Sequence, residues 1–206
     1  EHRERYGQVR LLLADEVGLG KTLSLAASAM IASLLDDGPV LILCPSTLTL
    51  QWQVELNDRL GIPSAVWHST KKQWIDPHGH IIKTRGAEDV LACPFRIAIV
   101  STGLIFHGTE EKDALLTRTY GTVVLDEAHR ARRRGVLGQK VGEPNNLLEF
   151  MGRIALKTKH MLLGTATPIQ TEVRELWDLL QTLNGSADFV LGRSLATRWA
   201  DWETAL

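Results

Sequence analysis

Lys21 and Thr22 directly follow Gly18-Leu19-Gly20, and much further along the chain Asp126 and Glu127 stand side by side. Residues of these types can handle a phosphate anhydride. Glycines let backbone N–H groups turn inward and approach phosphate oxygens with no side chain in the way. A lysine reaches the β and γ phosphates as a point charge, and a threonine hydroxyl takes one position on Mg²⁺. Of two adjacent carboxylates, Asp126 can hold the metal or its water, while Glu127 orients and deprotonates an attacking water. The first stretch departs from G-x-x-x-x-G-K-[ST] at one place, since Asp15 stands where the pattern opens on glycine. Each stretch supplies the context that makes the other specific, and the joint reading is a Mg-ATP site. Its candidate nucleotide contacts are Gly18, Leu19, Gly20, Lys21 and Thr22. Thr22 and Asp126 are the candidate metal contacts, and Lys21, Asp126 and Glu127 the candidate catalytic residues.

These side chains work together only if the backbone gathers them. The apolar run at 11–14 predicts a buried strand entering the glycine turn, and Leu23, Ala27, Met30, Ile31 and Leu34 predict a helix leaving it. Phosphates would then meet a helix N-terminus. A second buried strand is expected at 40–44. Ser46 or Thr47 would cap a helix carrying Leu48, Trp52, Leu56 and Leu60, with Trp52 as its core anchor. A short strand follows at 65–68. Residues 69–94 read as a surface excursion, with a hairpin at 80–83 and a helical turn at 89–92. Strands are expected at 97–100, 122–125 and 161–163. A weak helix is expected at 110–116, and stronger ones at 147–155, capped by Asn145 or Asn146, and at 173–183. The stretch 130–146 reads as an irregular basic loop. Strands alternating with helices predict an α/β fold, a mostly parallel sheet with helices on both faces. Both chemical motifs lie just past strand ends, where such sheets bind ligands.

The chain has 206 residues and a net charge of −1, with 44% hydrophobic and 23% charged residues. No global field draws it to nucleic acid, so any such contact needs a local patch. The run Arg130, Arg132, Arg133, Arg134 offers one, and two readings stand beside each other: a solvated loop, or a contact to phosphates. Cys44 and Cys93 are too few for a disulfide framework or a zinc site and read as buried free thiols. His68, His78, His80 and His107 show no metal-like spacing. There is no signal peptide or membrane-length apolar stretch, so an intracellular protein with no membrane partner is expected. A start at Glu1 without methionine suggests an excised fragment.

Four stretches stand in a fixed order: DEVGLGKT at 15–22, PSTLTLQWQVE at 45–55, DEAH at 126–129 and LLGTATPIQTEVRELWDLL at 162–180. Over residues 10–183 the chain resembles the first RecA-like domain of a superfamily-two ATPase. Within that superfamily it resembles the Snf family of double-stranded DNA translocases, and there the bacterial RapA type. The resemblance implies a RecA-like P-loop fold that uses ATP and Mg²⁺. It also implies double-stranded DNA as partner, a second RecA-like lobe in the same chain, a protein target of remodelling, and the bacterial cytoplasm. It implies that His129, Thr165 and Thr167 couple nucleotide to nucleic acid. The stretch from Pro45, Ser46 and Thr47 to Trp52, and the turn Ser101-Thr102, would lie beside backbone phosphates, with Arg132, Arg133 and Arg134 as further candidates. On this reading residues 1–9 are a lead-in, 10–185 the ATP-binding lobe and 186–206 a linker or the start of the next segment. The chain departs from the family pattern at Thr171, where asparagine is common, and at Ser101-Thr102-Gly103, which lacks an aromatic-acid pair. Gln8 lies close to the first strand and is not assigned the adenine-reading role. Two rival readings are a DEAH-type strand-separating helicase or restriction-system motor, and a nucleotide-binding module inactive in isolation.

Overall fold

The computed structural model describes residues 2–16, 20–35, 38–134, 142–170 and 173–191. Gly18, Leu19, Thr171 and the residues beyond 191 lie outside these, as does the side chain of Arg134. In chain order the elements are α1 (His2–Tyr6), β1 (Arg10–Leu13), α2 (Lys21–Leu34), β2 (Val40–Cys44), α3 (Thr49–Val54), β3 (Ser64–His68), β4 (Gln73–Ile75) and β5 (Ile81–Lys83). Then come β6 (Ile97–Ser101), α4 (Thr102–Phe106), α5 (Glu110–Thr117), β7 (Tyr120–Leu125), β8 (Arg133–Arg134), β9 (Glu143–Pro144), α6 (Asn146–Ala155), β10 (Thr158–Gly164) and α7 (Val173–Asn184).

The main sheet runs β1-β10-β7-β2-β6-β3-β4-β5. The pairs from β1 across to β3 are parallel, and β4 and β5 add antiparallel to the far edge. Every residue of β2 and β7 is buried, because helices cover both faces. Alternate side chains serve opposite layers. Leu41, Leu43, Val123, Leu125, Met161 and Leu163 pack with α4 to α7, while Val40, Ile42, Val124 and Leu162 pack with α2 and α3. The α/β sheet with helices on both faces expected from the sequence is what the chain forms.

The sheet order also arranges the chemistry. Leu13 pairs with Gly164, Leu163 with Leu125, and Leu125 with Leu43, so these strands end level along one edge. The segments that leave this edge begin at Ala14, Thr165, Asp126, Pro45 and Thr102, in that spatial order.

Three local readings need correction. Residues 69–94 are more than a surface excursion: β4 and β5 extend the sheet, and Trp74 and Val90 are buried in the core. Three-residue strands are too short to display a period, and they are anchored by the Trp67–Trp74 edge contact at 5.1 Å together with the bonds from Trp74 Nε1 to Asp89 O and from Gln53 Nε2 to Ile75 O. Neither Ser46 nor Thr47 caps α3; both are exposed in a 3₁₀ turn, Ser46–Leu48. The basic stretch at 130–146 is not wholly an irregular loop, since Arg133 pairs with Pro144 and Arg134 with Glu143 in a two-stranded ribbon.

Arg10 has a role its polar neighbourhood did not reveal. Its side chain is buried, with no carboxylate partner among the described residues. The guanidinium donates to Leu183 O at 3.2 Å, Ala155 O at 2.9 Å, Thr158 O and Ser186 Oγ. The carbonyls at the ends of α6 and α7 carry partial negative charge and take the place of a counter-ion. Burial lowers the Arg10 pKa to about 10, which leaves it charged at neutral pH. Arg10→Met should orphan these carbonyls and cost about 3 kcal/mol or more. For a domain of this size the melting temperature should fall by roughly 6–12 °C. A drop below about 2 °C in a thermal melt would remove Arg10 from this role.

The two ends of the described chain meet beside this clamp. Tyr6 stacks on Phe189 at 4.3 Å, Gln8 Nε2 donates to Ser186 O, and Leu191 is buried.

Candidate active site

Gly20 opens α2 at φ 78° and ψ 22°, a left-handed conformation that glycine adopts without a Cβ penalty. Lys21 and Thr22 form the first turn, and Lys21 Nζ donates to Asp15 O at 2.9 Å. The lysine therefore holds its own turn closed through a neutral carbonyl, a bond that a phosphate can replace. Gly164 ends the strand between β1 and β7. A Cβ there would come within 2.5 Å of Leu25 Cδ1, a buried side chain of α2, so any larger residue would have to displace it, while Lys21 Cδ at 3.5 Å is in ordinary contact. At the usual spacing of strands, the ends of β1 and β7 lie roughly 10 Å apart across this glycine.

Asp126 is buried and accepts two hydrogen bonds, from Trp52 Nε1 at 2.9 Å on Oδ2 and from Glu127 N at 2.9 Å on Oδ1. Its own N–H donates to Leu43 O at 2.8 Å, which continues the ladder one residue beyond β7. Among the described residues no cation pairs with this buried carboxylate. Trp52 is the core anchor the sequence implied, and it also orients Asp126. No local pattern could have shown that bond.

Glu127 has φ 53° and ψ 49°. For a residue with a side chain this left-handed backbone costs about 1–2 kcal/mol, and such strain gathers at functional positions. The Glu127 carboxylate meets His129, whose Nδ1 lies 3.2 Å from Glu127 Oε2. The same Nδ1 lies 3.0 Å from Thr165 Oγ1. Burial lowers the His129 pKa; Glu127 opposes this, and Arg130 and Arg132 act with burial. Thr165 Oγ1 in turn accepts from Thr167 N at 3.1 Å. Glu127, His129, Thr165 and Thr167 thus form one connected group.

The candidate nucleic-acid residues divide. Pro45 closes β2, and Ser46 and Thr47 are exposed at the site edge. Ser101 caps α4, its Oγ accepting from Gly103 N at 3.1 Å. Thr102 is fully buried, so its side chain is not available for the expected phosphate contact. Arg133 is also committed: its Nε lies 3.1 and 3.2 Å from the two carboxylate oxygens of Asp178, whose pKa burial raises and Arg133 lowers. This bridge anchors the β8–β9 ribbon to α7. Arg132 remains exposed, with Nη1 donating to Gln170 Oε1 at 2.9 Å. Gln170 had no sequence-level signal beyond its place after Pro168.

Cys44 is buried and Cys93 half-buried, both free. Burial pushes the Cys93 thiol up to about 11 and the Cys44 thiol further, with Asp126 adding to the Cys44 shift. Neither is a nucleophile near neutral pH.

A lysine in the turn after β1, paired acids after β7 and a parallel sheet between them define a RecA-like P-loop nucleotide-binding domain. The sequence matches the SNF2-related domain over residues 2–189, and the chain belongs to that family of helicase-like ATPases. It is 30% identical over 185 residues to "Chromodomain-helicase-DNA-binding protein 8" of Homo sapiens, covering 88% of this chain and 7% of that protein. It is 29% identical over 179 residues to "Protein CHROMATIN REMODELING 19" of Arabidopsis thaliana, covering 82% of this chain and 22% of that protein. The chain therefore spans less than a quarter of either relative. Among solved structures, the Sulfolobus solfataricus SWI2/SNF2 ATPase core in complex with dsDNA shares the fold. Its TM-score is 0.60 at 20% identity, over 95% of this chain and 34% of that one.

Proposed function

We propose that this chain is the first motor lobe of an ATP-driven double-stranded DNA translocase. The observation that carries the reading is the connected group from Glu127 through His129 and Thr165 to Thr167. It joins the paired acids after β7 to the loop after β10, beside an exposed arginine. A hydrolytic site wired to a basic surface suits a motor whose turnover answers to nucleic acid. The family supports the reading, as does the solved relative described in complex with dsDNA.

In this mechanism Gly18, Leu19 and Gly20 cradle phosphates with their backbone, and Lys21 leaves Asp15 O for a phosphate oxygen. Thr22 and Asp126 would hold Mg²⁺, whose charge offsets that on the β and γ oxygens. The residues fit that ion. Asp126 is a buried carboxylate without a described cation, and Mg²⁺ arriving on phosphates needs one or two carboxylates rather than a protein cage. Glu127 takes the proton of the attacking water, and His129 fixes its carboxylate. Recognition of DNA is through phosphates at Pro45, Ser46, Thr47, Ser101 and Arg132, without base reading. The second lobe in the same protein and a target of remodelling complete the proposal. The resemblance further supports a RapA-type member in the bacterial cytoplasm.

The test is phosphate release by the protein that carries this domain, with and without duplex DNA. Stimulation by duplexes of unrelated sequence is expected; equal rates with and without duplex would refute the motor reading. Trp52→Phe probes the metal side. It removes the donor to Asp126 Oδ2, and loss of such a supporting contact costs about 10–100-fold in metal affinity. The Mg²⁺ concentration for half-maximal turnover should rise by that factor, and an unchanged value would free Asp126 from metal binding.

A further inference from the structure

The loops after β7 and β10, with the ends of α4 and α6, enclose a cleft of about 420 Å³ lined by Phe106, His129, Arg130, Arg132, Asn145 and Gln170. No carboxylate is among these described lining residues. Two groups in the wall are fixed. Asn145 Oδ1 caps α6 and its Nδ2 donates to Arg130 O at 2.7 Å, while the Arg130 guanidinium lies over the Phe106 ring at 5.1 Å. Among the described residues Arg132 is held at the tip, by Gln170 Oε1. The other end of that amide, Nε2, makes a long 3.4 Å bond to Thr167 Oγ1. Thr167 N donates to Thr165 Oγ1, which touches His129, which touches Glu127. One glutamine amide therefore joins an exposed guanidinium to the residues around the paired acids.

We propose that Gln170 is a positioning residue that passes the arrival of a nucleic-acid backbone phosphate in this cleft to Glu127. The inference rests on the motor reading above and adds a sensor to it. A guanidinium bonds an anionic oxygen roughly twice as strongly as a neutral one, so a phosphate in the cleft takes Arg132 from Gln170 Oε1. The amide then keeps one partner, Thr167, and its terminal torsion is soft enough to turn toward it. The shift reaches Thr165 and His129 and resets the Glu127 carboxylate. With the cleft empty, Arg132 holds the amide back.

The experiment is phosphate release by the full protein at saturating Mg-ATP, titrated with duplex DNA. It compares the unmodified protein, Gln170→Ala, Arg132→Ala and the double variant. Arg132→Ala should raise turnover in the absence of duplex, because it frees the Gln170 amide, and should flatten the log–log salt slope of binding by about 0.9. Gln170→Ala should shift half-stimulation by no more than about twofold while stimulated kcat falls about tenfold, within the range of site-to-site coupling. In the double variant the duplex-free rise given by Arg132→Ala should disappear, because the amide it frees is gone. Gln170→Met, which fills the space with neither donor nor acceptor, should match Gln170→Ala. A duplex-free rise that survives in the double variant overturns the inference, as does its absence from Arg132→Ala or parental behaviour of Gln170→Met. If the unmodified protein shows no stimulation by duplex, the motor reading itself fails. If stimulation is present but these variant patterns are not, only the sensor fails.

Discussion

Glu127→Gln is expected to bind Mg-nucleotide as the parent does and to turn it over about 10²–10⁴-fold more slowly, the usual share of a general base. The substitution is close to a clean one. Glutamine carries the same Cβ, so the left-handed backbone at φ 53° costs it the same as glutamate. It fills the same volume and keeps an oxygen for His129 Nδ1, now 3.2 Å from Glu127 Oε2. What it loses is the ability to take a proton from water. Asp126 cannot stand in, because it is buried and both its oxygens already accept hydrogen bonds. Binding of labelled nucleotide and single-turnover hydrolysis separate the two effects. Parental turnover in the variant would take the base role from Glu127, and lost binding would show that its carboxylate acts on the metal.

The second large effect concerns residues 1–206 alone. They are expected to bind Mg-nucleotide and to hydrolyse it about 10³–10⁵-fold more slowly than a longer protein carrying the proposed second lobe, with no response to duplex. Phosphoryl transfer in this class needs a cation against the charge spreading over the γ-phosphate, and the arginines near the paired acids whose side chains are described have other partners. Arg130 lies over Phe106, Arg132 is held by Gln170, and Arg133 is bridged to Asp178. Arg10 is buried beneath the ends of α6 and α7. Phosphate release by the purified domain, compared with the longer protein at equal nucleotide saturation, decides it. Matching rates would mean that this lobe supplies its own cation.

How far the sequence could be read depended on how local each signal was. The strands at 40–44 and 122–125 were legible because both faces are covered, so every side chain but that of Thr122 is apolar and no alternation is needed. The lysine turn and the paired acids announced themselves by residue type, and the α/β alternation placed them at one edge. Contacts distant in sequence were not legible. Trp52 and Asp126 are 74 positions apart, and Arg10 meets Leu183 across 173. The arginine run hid its division of labour, since only the fold shows that Asp178 claims Arg133 and leaves Arg132 exposed. Nothing local foretells the backbone of Glu127 either, since glutamate has no preference for a left-handed turn.

The short ribbon after the paired acids has a consequence for how lineages carrying this domain can diverge. Its stem is fixed twice, by the pairing of Arg133 with Pro144 and Arg134 with Glu143 and by the bridge from Arg133 to α7. Chain inserted between those pairs inherits a closed base. Doubling the length of such a loop adds only about 0.6 kcal/mol of closure entropy. Whole modules can therefore be grafted at this point while Asp126, Glu127 and His129 keep their positions. The ribbon is a place where new specificity can be added to an unchanged engine.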